Sequence, residues 1–300
     1  MKRMDLSSFL QPAGPPITAR LGLISDTHMP ERCAALPASL FEVLQGVDLL
    51  LHAGDVGELW VLDRLSAIAP VVAVHGNDDT RDAQRELPYQ QLVSVAGQRI
   101  LLWHSHYVDP VEDRANRAGP WPWIWDRQAR RAHQAAAGIV VFGHTHVPMR
   151  HQYQGVLLVN PGALASGSLF TRQAHQTVAI LAIHDDGTSS VAHVDLVGRG
   201  QVYTPSHDWQ AGFQAAQVGF EVPIVEPGLL EDVGRLRAQA FDDWPALKEA
   251  ILPLCHRCWA GQRPPITREE LLRQVKGSPR IAPADRQRAL AILQSPISNT

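Results

Sequence analysis

Leu21-Gly22-Leu23-Ile24-Ser25-Asp26-Thr27-His28 holds the plan of the chain in eight residues: an unbroken apolar run, then at once a carboxylate and an imidazole. A run that is continuously apolar, rather than alternating, predicts a strand covered on both faces. The same spelling recurs downstream. Residues 47–51 run into His52-Ala53-Gly54-Asp55, and residues 71–74 run into His75-Gly76-Asn77-Asp78-Asp79. Helical patterns at 36–45, stopped by Gly46, and at 58–68 separate these strands. The β-α-β-α-β order predicts parallel pairing in a sheet with helices against it.

Farther along, residues 91–95 and 99–103 flank Ala96-Gly97-Gln98 as a hairpin, which ends in Trp103-His104-Ser105-His106. A helix is expected over 126–137, with Asp126 as its N-cap and Gly138 as its stop. Strands follow at 139–142, leading into Gly143-His144-Thr145-His146, and at 155–159, 177–183 and 189–197, with Asp185-Asp186-Gly187 turning between the last two. Beyond residue 200 the strand signals give way to amphipathic helices at 209–217, 229–241, 244–255, 268–275 and 283–293. Thr267-Arg268-Glu269-Glu270 spells a capping box. The organisation read from the sequence is therefore an N-terminal extension (1–19), an α/β domain of two β-rich layers with helices outside (20–200), and a helical C-terminal appendage (201–300).

Composition narrows the function classes. Of 300 residues, 45% are hydrophobic and 19% charged, enough to bury a real core. A net charge of −3 gives no electrostatic case for nucleic acid or membrane binding. Three Cys exclude a disulfide scaffold and fit a reducing compartment, and no apolar run approaches the roughly 18 residues of a membrane span. A cytoplasmic protein is the expectation. The chain holds 14 His against 3 Lys, and 12 of the His precede residue 200. That bias points toward metals.

In open α/β sheets ligands bind beyond the carboxyl ends of strands, so the five polar loops should converge. Alternate residues of an extended segment face the same way, which would turn Asp26 with His28, and His144 with His146, inward together. Two ions about 3.5–4 Å apart need a bridging ligand, and Asp55, after a glycine that permits a sharp turn, is the candidate bridge. Mixed nitrogen and oxygen donors favour manganese, iron, nickel or zinc over calcium or magnesium, with manganese the leading choice. His52 and His75 read as ordinary packed or loop histidines.

This ordered series resembles the calcineurin-like metallophosphoesterase superfamily, marked by Asp-x-His, Gly-Asp, Gly-Asn-x-Asp/Glu, His and Gly-His-x-His. It is most similar to the small bacterial and archaeal phosphodiesterases related to Vps29, through His104-Ser105-His106 and Asn160-Pro161-Gly162-Ala163. The resemblance covers residues 20–198. It implies a four-layer α/β/β/α sandwich of two mixed sheets flanked by helices. It also implies one divalent ion on Asp26, His28, Asp55 and His146, and a second on Asp55, Asn77, His104 and His144. His106 would face the substrate or buttress the ligands. The activity implied is phosphoester hydrolysis, of diesters in the first instance, by a bridging hydroxide attacking a small phosphoester or nucleotide-type substrate. The alternative is a Vps29-like binding scaffold with little or no turnover.

One position departs from the pattern. Many members place a proton-donating His after the Gly-Asn, whereas this chain has Asp78. An ionised Asp cannot protonate a leaving group, so Asp78 either shifts preference toward activated esters or only braces its loop. Residues 109–131 carry Trp121, Trp123 and Trp125 among five Arg. They form either a lid over the substrate or, in the preferred reading, an indole cluster packed against the C-terminal region. Cys255-His256-Arg257-Cys258 lacks a second half and reads as core packing rather than zinc binding.

Overall fold

The computed structural model describes residues 14–166, 168–197, 200–238 and 244–294. Most of the expected N-terminal extension, and the end of the helix expected over 229–241, lie outside them. The chain forms two compact units. One comprises the described residues up to Pro30, Ala35–Ala165 and Gln173–Phe220; the other comprises Glu31–Ala34, Ser166–Arg172 and the residues from Glu221 onward.

In the first unit, β1 (Ile17–Ile24), β2 (Leu49–His52) and β3 (Val71–Ala73) pair in parallel, as the repeated apolar runs predict. They are joined by α1 (Ala38–Val43) and α2 (Trp60–Leu65). The expected hairpin forms from β4 (Gln90–Val95) and β5 (Gln98–Trp103), with Gln98 in the strand opposite Val95 rather than in the turn, and is preceded by α3 (Arg81–Glu86). Then come α4 (Pro110–Arg117), α5 (Trp121–Gln134), β6 (Ile139–Phe142), β7 (Met149–Tyr153), β8 (Val156–Asn160), β9 (Thr171–Gln173, of which only Gln173 belongs to this unit), β10 (Thr177–His184), β11 (Ser189–Asp195), β12 (Gln201–Tyr203) and α6 (Phe213–Phe220). The result is two mixed sheets with helices against them, ordered β12-β11-β10-β1-β2-β3 and β4-β5-β6-β8-β7.

Burial explains why these strands read as continuous apolar runs. On β5, Ile100 and Leu102 face the other sheet beside Leu21, Leu23, Leu51, Ala179 and Leu181. The intervening Leu101 and Trp103 pack outward with Trp121 and Ala132 of α5. Each such Leu or Ile, removed from water on whichever face, contributes roughly 1.5–3 kcal/mol.

Several boundaries differ from the sequence reading for identifiable reasons. Helix α5 starts at Trp121, five residues early, because extended Pro120 stands at the N-cap position and Pro122 fits its first turn. Asp126 therefore lies inside the helix, and its carboxylate accepts from Tyr153 Oη at 2.8 Å. The left-handed residue after this helix is Ala136 rather than Gly138. Strand β7 escaped notice because an edge strand spelled Met-Arg-His-Gln-Tyr has no apolar run. The boundary expected at residue 200 falls here after Phe220: β12 pairs with β11, and Phe213 of α6 joins the Trp103–Trp121 cluster.

The second unit contains β13 (Glu221–Pro223), α7 (Leu230–Ala238), α8 (Trp244–Trp259), α9 (Arg268–Gly277) and α10 (Pro283–Gln294). The predicted capping box forms, with Thr267 Oγ1 accepting from Glu270 N at 3.3 Å and Glu270 Oε2 accepting from Thr267 N at 3.0 Å. Cys255 and Cys258 lie in the apolar core with Leu254, Ile266 and Leu271. Burial pushes the Cys255 thiol up to about 12. Both observations fit packing. Among the described residues no helix is long and apolar enough to cross a membrane.

Candidate metal centre

Strand register brings the polar loops to one edge. Ile24 lies opposite His52, and His52 opposite Ala73, so β1, β2 and β3 end flush; Trp103 of β5 likewise lies opposite Phe142 of β6. The pairing continues past the strand ends, Asp26 N donating to Gly54 O at 3.0 Å and His28 N to Asp55 O at 2.9 Å.

The convergence of alternate side chains has a different cause from the one expected. Asp26, His28, Asp55, His144 and His146 all have positive φ, between 45° and 69°. They turn inward through left-handed backbone, not through the pleat of an extended strand. Such conformations cost of order 1–3 kcal/mol each for non-glycine residues and gather where function requires them.

Within this edge the side chains form three overlapping donor groups: Asp26–His28–His146, Asp26–Asp55–His104 and His28–Asp55–Asp78. Asp26 Oδ1 is 3.1 Å from His146 Nε2 and 3.8 Å from His28 Nε2. Asp55 Oδ2 is 3.1 Å from His104 Nε2 and 3.6 Å from His28 Nε2. Burial would raise the Asp26 carboxyl, but His146 and His104 outweigh it and hold the group well below the carboxylate range. Asp55 is held low in the same way, by His104 and His28. Burial opposes charge on His104, yet Asp55 and then Asp26 push it up to about 10.

These residues fit a divalent cation. His104 Nδ1 donates to Ala53 O at 2.8 Å, which leaves Nε2 facing the two carboxylates, where a cation would take the place of the proton they favour on it. Among the described residues this buried Nε2 makes no well-directed hydrogen bond, although Asp55 Oδ2 stands 3.1 Å away. Two buried carboxylates surrounded by imidazole nitrogens are a mixed oxygen and nitrogen set, suited to a transition ion.

The remaining expected residues take distinct places. Asn77 and Asp78 are exposed, and Asn77 Nδ2 donates to Asp78 Oδ1 at 2.9 Å. Asp78 N donates to Asp55 Oδ1 at 2.8 Å. The His144 ring lies 5.1 Å from that of His104, its backbone N–H faces Asp26, and its Nε2 is 2.7 Å from Asp113 Oδ1 on α4. His106 sits between His75, His104 and His144, and burial, then His104 and His144, lowers it to about 3, so its ring is neutral. His52 is buried and belongs to none of the three donor groups. Gly54 N donates to its Nδ1, and its Nε2 is 3.1 Å from Thr27 Oγ1.

Sequence reasoning placed Asp79 and Asn160 in motifs but gave them no role, and it missed the part that they and the residues below play in holding the loops. Asp79 Oδ2 accepts from Gly76 N at 2.7 Å and Asp55 N at 3.1 Å, while Oδ1 accepts from Gly57 N at 2.7 Å. Asn160 Nδ2 donates to Gly143 O at 3.0 Å and Thr145 Oγ1 at 2.9 Å. Arg127, over the Tyr107 and Trp103 rings, and Gln128 donate into the 105–106 turn, so this arginine braces the ligand loop. Trp121 and Trp125 pack with Trp209, as the indole-cluster reading anticipates, although Trp123 is exposed. The available signal was Asp79 following Asn77-Asp78; nothing local marked Gln128 or Asp113.

Comparison with known proteins decides the family. The calcineurin-like phosphoesterase superfamily domain matches residues 20–186, more than half of the chain. The chain belongs to the calcineurin-like phosphoesterase superfamily. A probable metallophosphoesterase of Methanocaldococcus jannaschii is 32% identical over 146 residues, which cover 49% of this chain and 68% of that protein. One from Methanothermobacter thermautotrophicus is 33% identical over 144 residues, covering 48% and 76%. The crystal structure of wild-type Vps29 complexed with zinc from Entamoeba histolytica shares the fold, at a TM-score of 0.50 and 24% identity over 61% of this chain and 97% of that one. Superfamily membership and the buried donor cluster make metal-dependent phosphoesterase the general class of this calcineurin-like chain.

Proposed function

We propose that this superfamily member is a dinuclear phosphodiesterase. Asp26, His28, Asp55 and His146 would hold one divalent transition ion, manganese first among the choices, and Asp55, Asn77, His104 and His144 the other. The observation that carries this reading is the central place of Asp55, whose two oxygens serve different neighbours: Oδ2 faces both His28 and His104, and Oδ1 accepts from Asp78 N. When bound, the ions supply an acidified water as nucleophile and neutralise the phosphoryl oxygens.

The chain's own residues do the rest. Asp55 orients the centre through its two oxygens. Neutral His106, between His104 and His144, offers a ring nitrogen to a bound ester rather than a second positive charge. Asp78, at the exposed rim, places negative charge where a leaving group would emerge. That charge disfavours dianionic monoesters and leaves protonation to water, so diesters with good leaving groups are the preferred substrates. Substrate is a small phosphoester or nucleotide-type molecule, and the working compartment is the cytoplasm.

A metal-titrated assay tests this. Bis-p-nitrophenyl phosphate should turn over with manganese, a simple alkyl phosphate far more slowly, and Asp55→Ala should abolish both. A protein that holds two ions yet hydrolyses neither ester would be a binding scaffold. Equal turnover of both esters would refute the role given to Asp78.

A further inference from the structure

We infer that Asp113, on the α4 segment between the His104 and His144 loops, is a ligand of the second ion. The inference rests on the two-ion reading above and adds a donor to it. Asp113 Oδ1 lies 2.7 Å from His144 Nε2, and both side chains are largely buried, 16% and 7% exposed. The centre contains two other carboxylate–imidazole pairs of this kind, Asp26 with His146 and Asp55 with His104, each at 3.1 Å. Atoms about 3 Å apart are spaced as two donors on one ion bonded at about 2.0–2.2 Å. The third pair repeats the arrangement on the side of the second ion.

Two further observations support ligation. Tyr107 N donates to the same Asp113 oxygen at 3.3 Å, which ties the carboxylate to the chain just beyond His104–His106. A cavity of about 30 Å³ is lined by Asp113, His144, Thr145 and Ser105, among others. It is large enough for a single water-sized species beside both donors, with Arg127, Ile124 and Phe213 on its far walls and Asp55, Asn77 and His104 outside its lining. Charge argues in the same direction. The first ion has Asp26 to itself and shares Asp55, whereas the second has only the shared carboxylate. Asp113 gives it one of its own.

Calorimetric titration of the full chain with manganese chloride tests the assignment, using wild type, D113N and D113A. Wild type should take up two ions. Both variants should keep the first ion at wild-type affinity and bind the second at least about 100-fold more weakly, at or beyond the upper end of the roughly 10–100-fold loss seen when an outer-shell partner is removed. With two equivalents of cobalt, the visible spectrum of D113N should revert toward that of the singly loaded wild type. An amide oxygen still accepts the hydrogen bond from Tyr107 N that ties this side chain to the loop. Wild-type affinity in D113N with a loss only in D113A would therefore make Asp113 a positioning residue and overturn the inference. Unchanged second-ion affinity in both variants also overturns it, while the two-ion reading stands. So does joint loss of both ions, because Asp113 would then act on the fold. Fewer than two ions on wild type would refute the two-ion reading itself, and the inference with it.

Discussion

Gly76→Ala should disable the proposed centre without replacing any of its proposed ligands. A Cβ at Gly76 would stand 2.1 Å from Asp55 Oδ1, 2.7 Å from Asp55 Cγ and 2.7 Å from Asp55 N. Ordinary contact begins near 3.4 Å, so the carboxylate must retreat by more than 1 Å, and Asp55 N, at 2.7 Å, is itself too close to the added carbon. Asp55 is meant to serve both ions, and a displacement of about 1 Å can cost on the order of 100-fold in rate. The overpacking itself should cost about 1–3 kcal/mol. Turnover of bis-p-nitrophenyl phosphate, manganese affinity and urea unfolding would be measured together. Gly138→Ala is the control, because a Cβ there meets nothing nearer than Gln98 Oε1 at 3.9 Å. A Gly76→Ala protein with wild-type manganese affinity and nearly wild-type turnover would refute both the bridging role of Asp55 and the geometry drawn for it.

Asp79→Asn removes one of the two oxygens that hold three backbone N–H groups, and should destabilise the first unit by about 1–3 kcal/mol in urea; an unchanged midpoint would show that the loops need no such clamp. His193 is buried, with Nε2 2.8 Å from Asn160 O, and burial lowers it to about 4. The unfolded chain takes up this proton near pH 6.5, so stability declines as pH falls from about 6.5 and levels off below about 4. The loss is worth roughly 3 kcal/mol, and His193→Gln should flatten that slope in melts across the range. Thr267→Ala should cost about 1 kcal/mol in the second unit with hydrolysis unchanged, and Thr267→Ser should restore most of it; a silent Thr267→Ala would mean that the cap contributes nothing.

The relation between spelling and structure differs from element to element. Strands β1, β2, β5 and β6 were legible because both faces are buried, which leaves unbroken apolar runs that end in polar loops. The capping box of α9 was legible because a cap is a local hydrogen-bond pattern. Edge strand β7 was not, since one face and one edge have no burial to record in the sequence. The start of α5 differs from the expectation because Asp126 resembles a cap, while the prolines before it set the first turn.

The sequence alone determined which residue types could meet an ion, and that their loops follow strand ends in a set order. Chain order and local burial suffice for that. Tertiary structure decided how they meet: Asp26 and His28 converge through left-handed backbone, Asp79 clamps loops that start from different strands, and Asp113 reaches His144 across 31 positions. Side chains that far apart in sequence leave no periodicity or spacing to read, because their distance depends on strand register and packing rather than on their neighbours along the chain.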